Sequence, residues 1–97
     1  MNYYSVDYSD ANEIAITAAL NQTLAAASAQ ARTVVADVFT AFQAAAGPAG
    51  GHTCHVGLLD ASPQNQFTCD IHPSQAGQKL IARTVEQTYS AARKNAQ

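Results

Sequence analysis

At 97 residues the chain holds one domain and not two, and a net charge of −2 with five scattered basic residues excludes an electrostatic nucleic-acid footprint. Apolar residues make up 47%, yet twenty-one of them are alanine, and Leu, Ile, Val and Phe together number only 18. So thin a set of large side chains suits a piece of a larger α/β body better than a self-sufficient small fold.

Taken in chain order, "MNYYSVDY" (residues 1–8) reads as the end of a strand running into a loop, aromatic residues giving way to turn formers. It offers neither the basic start nor the apolar stretch of a secretion signal, so no signal peptide is expected on this chain. Asp10 is placed to cap a helix, with Glu13 completing a capping-box pair. Ile16, Leu20, Leu24 and Ala27 then recur at helical spacing to about Ala31, and that stripe is expected to pack in the core. "TVVADVF" (33–39) has the length and β-branching of a buried strand. "TAFQAAAG" follows as a short helix stopped by Gly47 and Pro48.

A loop, "GPAGGHT" (47–53), leads to a brief extended piece, "HVGLLD", and "ASPQNQFT" (61–68) reads as loop again. Beyond Pro73, Ser74 caps a final helix whose inner face is Leu80, Ile81, Val85, Thr88 and Tyr89. Arg93 and Lys94 complement its C-terminal dipole. No run of about 18 apolar residues is present to span a membrane. Helix, strand, helix, loop, helix predicts an α/β layered arrangement, mostly helical, around a parallel sheet. One or two strands are too few for that sheet, so further strands are expected from outside this chain.

The most informative stretch is "CDIHPSQAG" (69–77). A histidine that acts as a base must be held in one tautomer by a partner on its other ring nitrogen. Asp70, two residues before His72 on a loop stiffened by Pro73, supplies such a partner. The plain alternative is a surface loop in which Asp70 caps a turn and His72 is solvated.

"DIHPSQAGQKLIARTV" resembles the last motif block of the SGNH (GDSL-type) esterase/lipase superfamily, in its secreted actinobacterial form. There a loop bearing Asp and His precedes Pro, a Gly-containing helix start and an apolar helix. "MNYY", the alanine-rich "NQTLAAASAQAR", "VVADVFTAF" and the cysteine-bounded loop extend the likeness over nearly all 97 residues. They match only the C-terminal part of the family's domain. The resemblance implies a partial three-layer α/β/α, flavodoxin-like fold with a parallel sheet. It implies hydrolysis of carboxylic esters or lipids with no metal or organic cofactor, and export of the intact protein.

Carried onto this chain, His72 is the catalytic base. Its orienting partner is either Asp70 or a main-chain carbonyl near Cys69, because the family leaves two residues between acid and base where only Ile71 stands here. The family's Gly-Asp-Ser nucleophile block and its oxyanion-hole glycine and asparagine are absent, as is any Gly-x-Ser-x-Gly. Residues 1–97 would therefore be an incomplete C-terminal segment, inactive alone, with the missing N-terminal part of the same domain as partner.

Cys54 and Cys69 bracket the loop leading into Asp70 and His72. An exported enzyme implies a disulfide between them, stabilising by about 3 kcal/mol for a loop of this length; the alternative is two reduced thiols. A different reading draws four zinc ligands from His52, Cys54, His55, Cys69 and His72, though "HTCH" lacks the usual spacing. His52 and His55 otherwise receive no role. A third reading is a non-catalytic, alanine-rich helical interaction module.

Overall fold

The computed structural model describes residues 1–62 and 65–96. Three α-helices and a small hairpin make up the described residues: α1 Ala11–Gln30, α2 Val38–Ala46, a 3₁₀ turn Gly47–Ala49, β1 Leu59–Ser62, β2 Asn65–Pro73 and α3 Gln75–Ala96.

Each helix begins where a short polar side chain replaces the missing intrahelical acceptor. The Asp10 carboxylate accepts from the backbone N–H groups of Asn12 (2.9 Å) and Glu13 (3.3 Å). The capping box is not closed from Glu13, because the Asp10 N–H goes instead to the Asp7 carbonyl (3.4 Å). Ser74 Oγ accepts from Gly77 N–H at 3.1 Å and donates to the Gly57 carbonyl at 2.5 Å, tying the start of α3 to the preceding loop. α1 ends with Arg32 in the left-handed region (φ 55°) and with Thr33 N–H on the Ser28 carbonyl (2.9 Å), the bond pattern of a Schellman cap.

Two expected strands are not strands. Residues 33–37 are irregular, because Asp37 turns its carboxylate onto Thr40 N–H (3.1 Å) and Thr40 Oγ1 (2.7 Å). That cap recruits Val38 and Phe39 into α2. Residues 1–8 likewise form no regular strand, although Asn2 N–H donates to the Ala36 carbonyl (3.1 Å) and so lays the two segments side by side.

The sheet among the described residues is two-stranded and antiparallel, β1 against β2, where a parallel sheet was expected. The extended piece expected in "HVGLLD" starts at Leu59. Much of "ASPQNQFT", expected as loop, is strand; the loop expected at 63–64 lies outside the described residues. Alternation in this polar stretch is too weak to announce a strand, and it is the local hairpin pairing that makes one.

Phe42, Val38, Ala46, Tyr8 and Leu58 form the core, with Tyr4, Ile14, Phe39, Leu80 and Ile81 packed around them. Tyr4 stacks on Phe42 with ring centroids 4.5 Å apart, and Tyr8 meets Phe39 edge-on at 5.2 Å. The Tyr8 hydroxyl donates to the Phe39 carbonyl (2.6 Å) and accepts from Ser5 N–H (3.1 Å). Burial pushes this phenol up to about 12.

Of the stripe expected to bury α1, Leu24 alone is half-buried, while Ile16, Leu20 and Ala27 are exposed. Ile16 is 68% and Leu20 45% exposed, and no residue of α1 is fully buried. Asn21 explains the rotation: its side chain accepts from Tyr3 N–H (2.8 Å) and donates to the Tyr3 carbonyl (2.9 Å), as a neighbouring strand would. The helix face carrying Asn21 therefore meets the body. On α3, Leu80 and Ile81 reach the core as expected. Val85 and Tyr89 instead line an open cleft of about 290 Å³ with Met1, Val34 and Ala36.

Candidate functional site

The hairpin is irregular where the candidate residues stand. Ala61 pairs with Cys69 and Leu59 with Pro73, so β1 advances two residues while β2 advances four. Asp70, Ile71 and His72 are thus opposite Asp60 alone, on a bulge. A bulge of this kind re-aims side chains that regular pleating would send to alternate faces.

Within it the structure brings Asp70 and His72 together. One carboxylate oxygen, Asp70 Oδ1, accepts from His72 N–H at 2.8 Å and lies 3.3 Å from His72 Nδ1. The first contact closes an Asx turn that sets the backbone, and the second aims the ring. Nδ1 is the ring nitrogen that faces the carboxylate, so a neutral imidazole carrying its proton there would present Nε2 as the basic atom, directed away from Asp70. The His72 side chain is 73% exposed and Asp70 37%, so Nε2 is open to an incoming group. Here the ring faces the Asp70 carboxylate, the first of the two partners considered from the sequence.

Cys54 and Cys69 form a disulfide with Cα atoms 5.7 Å apart. It pins the 50–57 loop to β2 at the residue immediately before Asp70. On the other side of the pair, the Ser74 N–H donates to the Leu58 carbonyl (2.9 Å), so the bulge is anchored at both ends. With both sulfurs oxidised, neither cysteine has a thiolate to offer zinc. Among the described residues no group of three or more His, Cys, Asp or Glu side chains is placed to hold a metal ion.

Tyr4 also reaches this region. Its hydroxyl donates to the Ile71 carbonyl at 2.7 Å, between Asp70 and His72, although the two residues are 67 positions apart. Burial raises the Tyr4 phenol pKa, and the nearby Asp70 charge raises it further. Sequence reading missed this residue, and in "MNYYSVDY" only its aromatic character could have signalled it.

A second polar cluster lies beside the disulfide, in a cavity of about 240 Å³ lined by Val6, Asp7, His52, Cys54, His55 and Cys69 among others. Ser9 Oγ donates to Asp7 Oδ1 at 2.5 Å, and His52 Nδ1 lies 3.5 Å from the same oxygen and 3.3 Å from Ser9 Oγ. Serine and aspartate therefore face one ring nitrogen. A proton relay needs them on opposite nitrogens, so this is not a nucleophile–base–acid chain. The Ser9 hydroxyl bond above all, with the Ser9 N–H and the two imidazoles, holds the Asp7 carboxyl below the usual carboxylate range despite some burial. Its neighbours are a turn and a loop far apart in sequence, and no motif links them.

Ser74, the serine nearest His72 in sequence, is committed as a helix cap and is not poised as a nucleophile. No known protein family, curated protein or solved structure matches this chain. No helix among the described residues is long and apolar enough to cross a membrane.

Proposed function

We propose that this chain supplies the general-base part of an SGNH-type serine hydrolase acting on carboxylic esters, with its serine and oxyanion hole contributed from outside residues 1–97. The observation that carries this reading is the Asp70–His72 pair on its bulge, with Nδ1 at 3.3 Å from the carboxylate and Nε2 left open. In such an enzyme Nε2 takes the serine hydroxyl proton as Oγ attacks the ester carbonyl. Asp70 stabilises the imidazolium so formed, and His72 then returns the proton to the departing alkoxide. Water repeats the cycle on the acyl-enzyme.

The same proposal extends to the fold and the compartment. Residues 1–4 and 33–37, side by side through the Asn2–Ala36 bond, would be neighbouring strands of a parallel sheet with α1 as their crossover. A Cys54–Cys69 disulfide favours an oxidising compartment, in keeping with export of the intact protein.

The test joins this chain to an N-terminal SGNH portion bearing the Gly-Asp-Ser block and follows hydrolysis of a chromogenic short-chain ester. His72→Ala is expected to lower turnover by roughly 10²–10⁴-fold, the usual contribution of a positioned base. Unchanged turnover rejects the reading.

A further inference from the structure

We propose that Tyr4 is a positioning residue for the Asp70–His72 pair, acting through its hydroxyl on the Ile71 carbonyl. This rests on the reading of His72 as a base, and names a further residue on which that base depends.

The bulge creates the need. Between the registered pairs Ala61↔Cys69 and Leu59↔Pro73, β2 carries two residues more than β1 spans, and Ile71 is the middle of that excess. A strand edge with surplus length has several low-energy ways to arrange it, and each aims Asp70 and His72 differently. The disulfide at Cys69 and the Ser74–Leu58 bond fix the ends of the bulge and leave its apex to be fixed separately. Ile71 has no packing to do so, since its side chain is 67% exposed.

Tyr4 provides the missing restraint. Its ring is stacked on the fully buried Phe42, so the hydroxyl projects from a rigid base, and it reaches the Ile71 carbonyl at 2.7 Å. That carbonyl belongs to the peptide joining Ile71 to His72, whose N–H donates to Asp70 at 2.8 Å. One peptide unit is therefore held from both of its polar ends, by Tyr4 on the oxygen and Asp70 on the nitrogen. Rotation of that peptide would break both bonds and swing His72 Nδ1 from the carboxylate. With its phenol pKa raised by burial and then by Asp70, Tyr4 stays a donor throughout the range in which a histidine titrates.

The experiment reads the His72 tautomer directly, by long-range ¹⁵N–¹H correlation on the histidine-labelled chain at a pH where imidazole is neutral. The wild-type signal is expected in the Nδ1–H pattern. Tyr4→Phe keeps the ring on Phe42 and deletes only the hydroxyl, and should reduce the Nδ1–H share at least twofold. Tyr8→Phe removes another tyrosine hydroxyl bond to a main-chain carbonyl, that of Phe39 at 2.6 Å, and should leave the His72 tautomer untouched. An unchanged tautomer in Tyr4→Phe, or an equal change in Tyr8→Phe, overturns the proposal.

A second measurement leaves Tyr4 in place. In Asp70→Asn the Tyr4 phenol should titrate at lower pH than in wild type, and an unmoved phenol overturns the coupling. Neither readout requires ester turnover. If His72→Ala leaves the assembled enzyme active, the hydrolase reading falls while the role of Tyr4 is still decided by the tautomer.

Discussion

The 50–77 region and α1 are held in opposite ways. The first is irregular and tied at several points: a disulfide, a hairpin, a bulge bonded at its apex, and Ser74 bonding back to Gly57 and Leu58. α1 is twenty residues of regular helix with none fully buried, set in place by Asp10 at its start and Asn21 against Tyr3. Alanine makes a helix without saying where it goes, since it has high helix propensity and little surface to bury. Cysteine and the aromatic residues do the reverse, constraining position through distant contacts more than local conformation. A pair of side chains held in one mutual geometry, as Asp70 and His72 are, needs the second kind of support.

The largest expected effect falls on the region with the ties. Replacing Cys54 and Cys69 by Ser should cost about 3 kcal/mol by releasing the loop they close, a severe loss for so small a core. It should show as a large drop in denaturation midpoint, with amide exchange rising first around Cys69–His72. If stability hardly changes, the hairpin and its bonds hold this region without the bridge.

Gly77→Ala comes next. In the first turn of a helix, adding a methyl would ordinarily gain up to ~1 kcal/mol in propensity. Here a Cβ on Gly77 would collide with the Leu58 carbonyl oxygen and come 3.1 Å from Pro73 Cβ. Backbone atoms cannot step aside as a flexible side chain would, so the sign reverses to a net loss of about 2 kcal/mol. Chemical denaturation that finds a gain would mean α3 lies farther from Leu58 than described.

What could be read from the sequence divides along the same line. Asp10 and Ser74 as caps, the Gly47–Pro48 stop and the proximity of Asp70 to His72 are local events, set within a few residues, and the structure contains each. The cysteine pairing was implied by resemblance, and the structure contains that too. The irregular path of 33–37 was not legible, because one capping carboxylate at Asp37 outweighs the β-branching around it. Nor was the bulge, since two-against-four register depends on both strands at once. Tyr4 on Ile71 and Asn21 on Tyr3 are contacts between distant segments, with no periodicity to betray them.

The smallest expected effect tests the other side of the comparison. Ile16 and Leu20 lie at helical spacing and read as a core face, for which truncation to Ala would cost about 2–5 kcal/mol each. Exposed as they are, at 68% and 45%, they bury too little for that. Ile16→Ala and Leu20→Ala should each change the stability of the isolated chain by no more than about 0.5 kcal/mol, the scale of surface substitutions. Asn21→Ala, by contrast, removes both bonds to Tyr3 and should cost about 1–2 kcal/mol, although asparagine is the poorer helix former. If the order is inverted, with Leu20 costing more than Asn21, then α1 turns its apolar stripe inward in solution and is oriented by packing and not by its polar clamp.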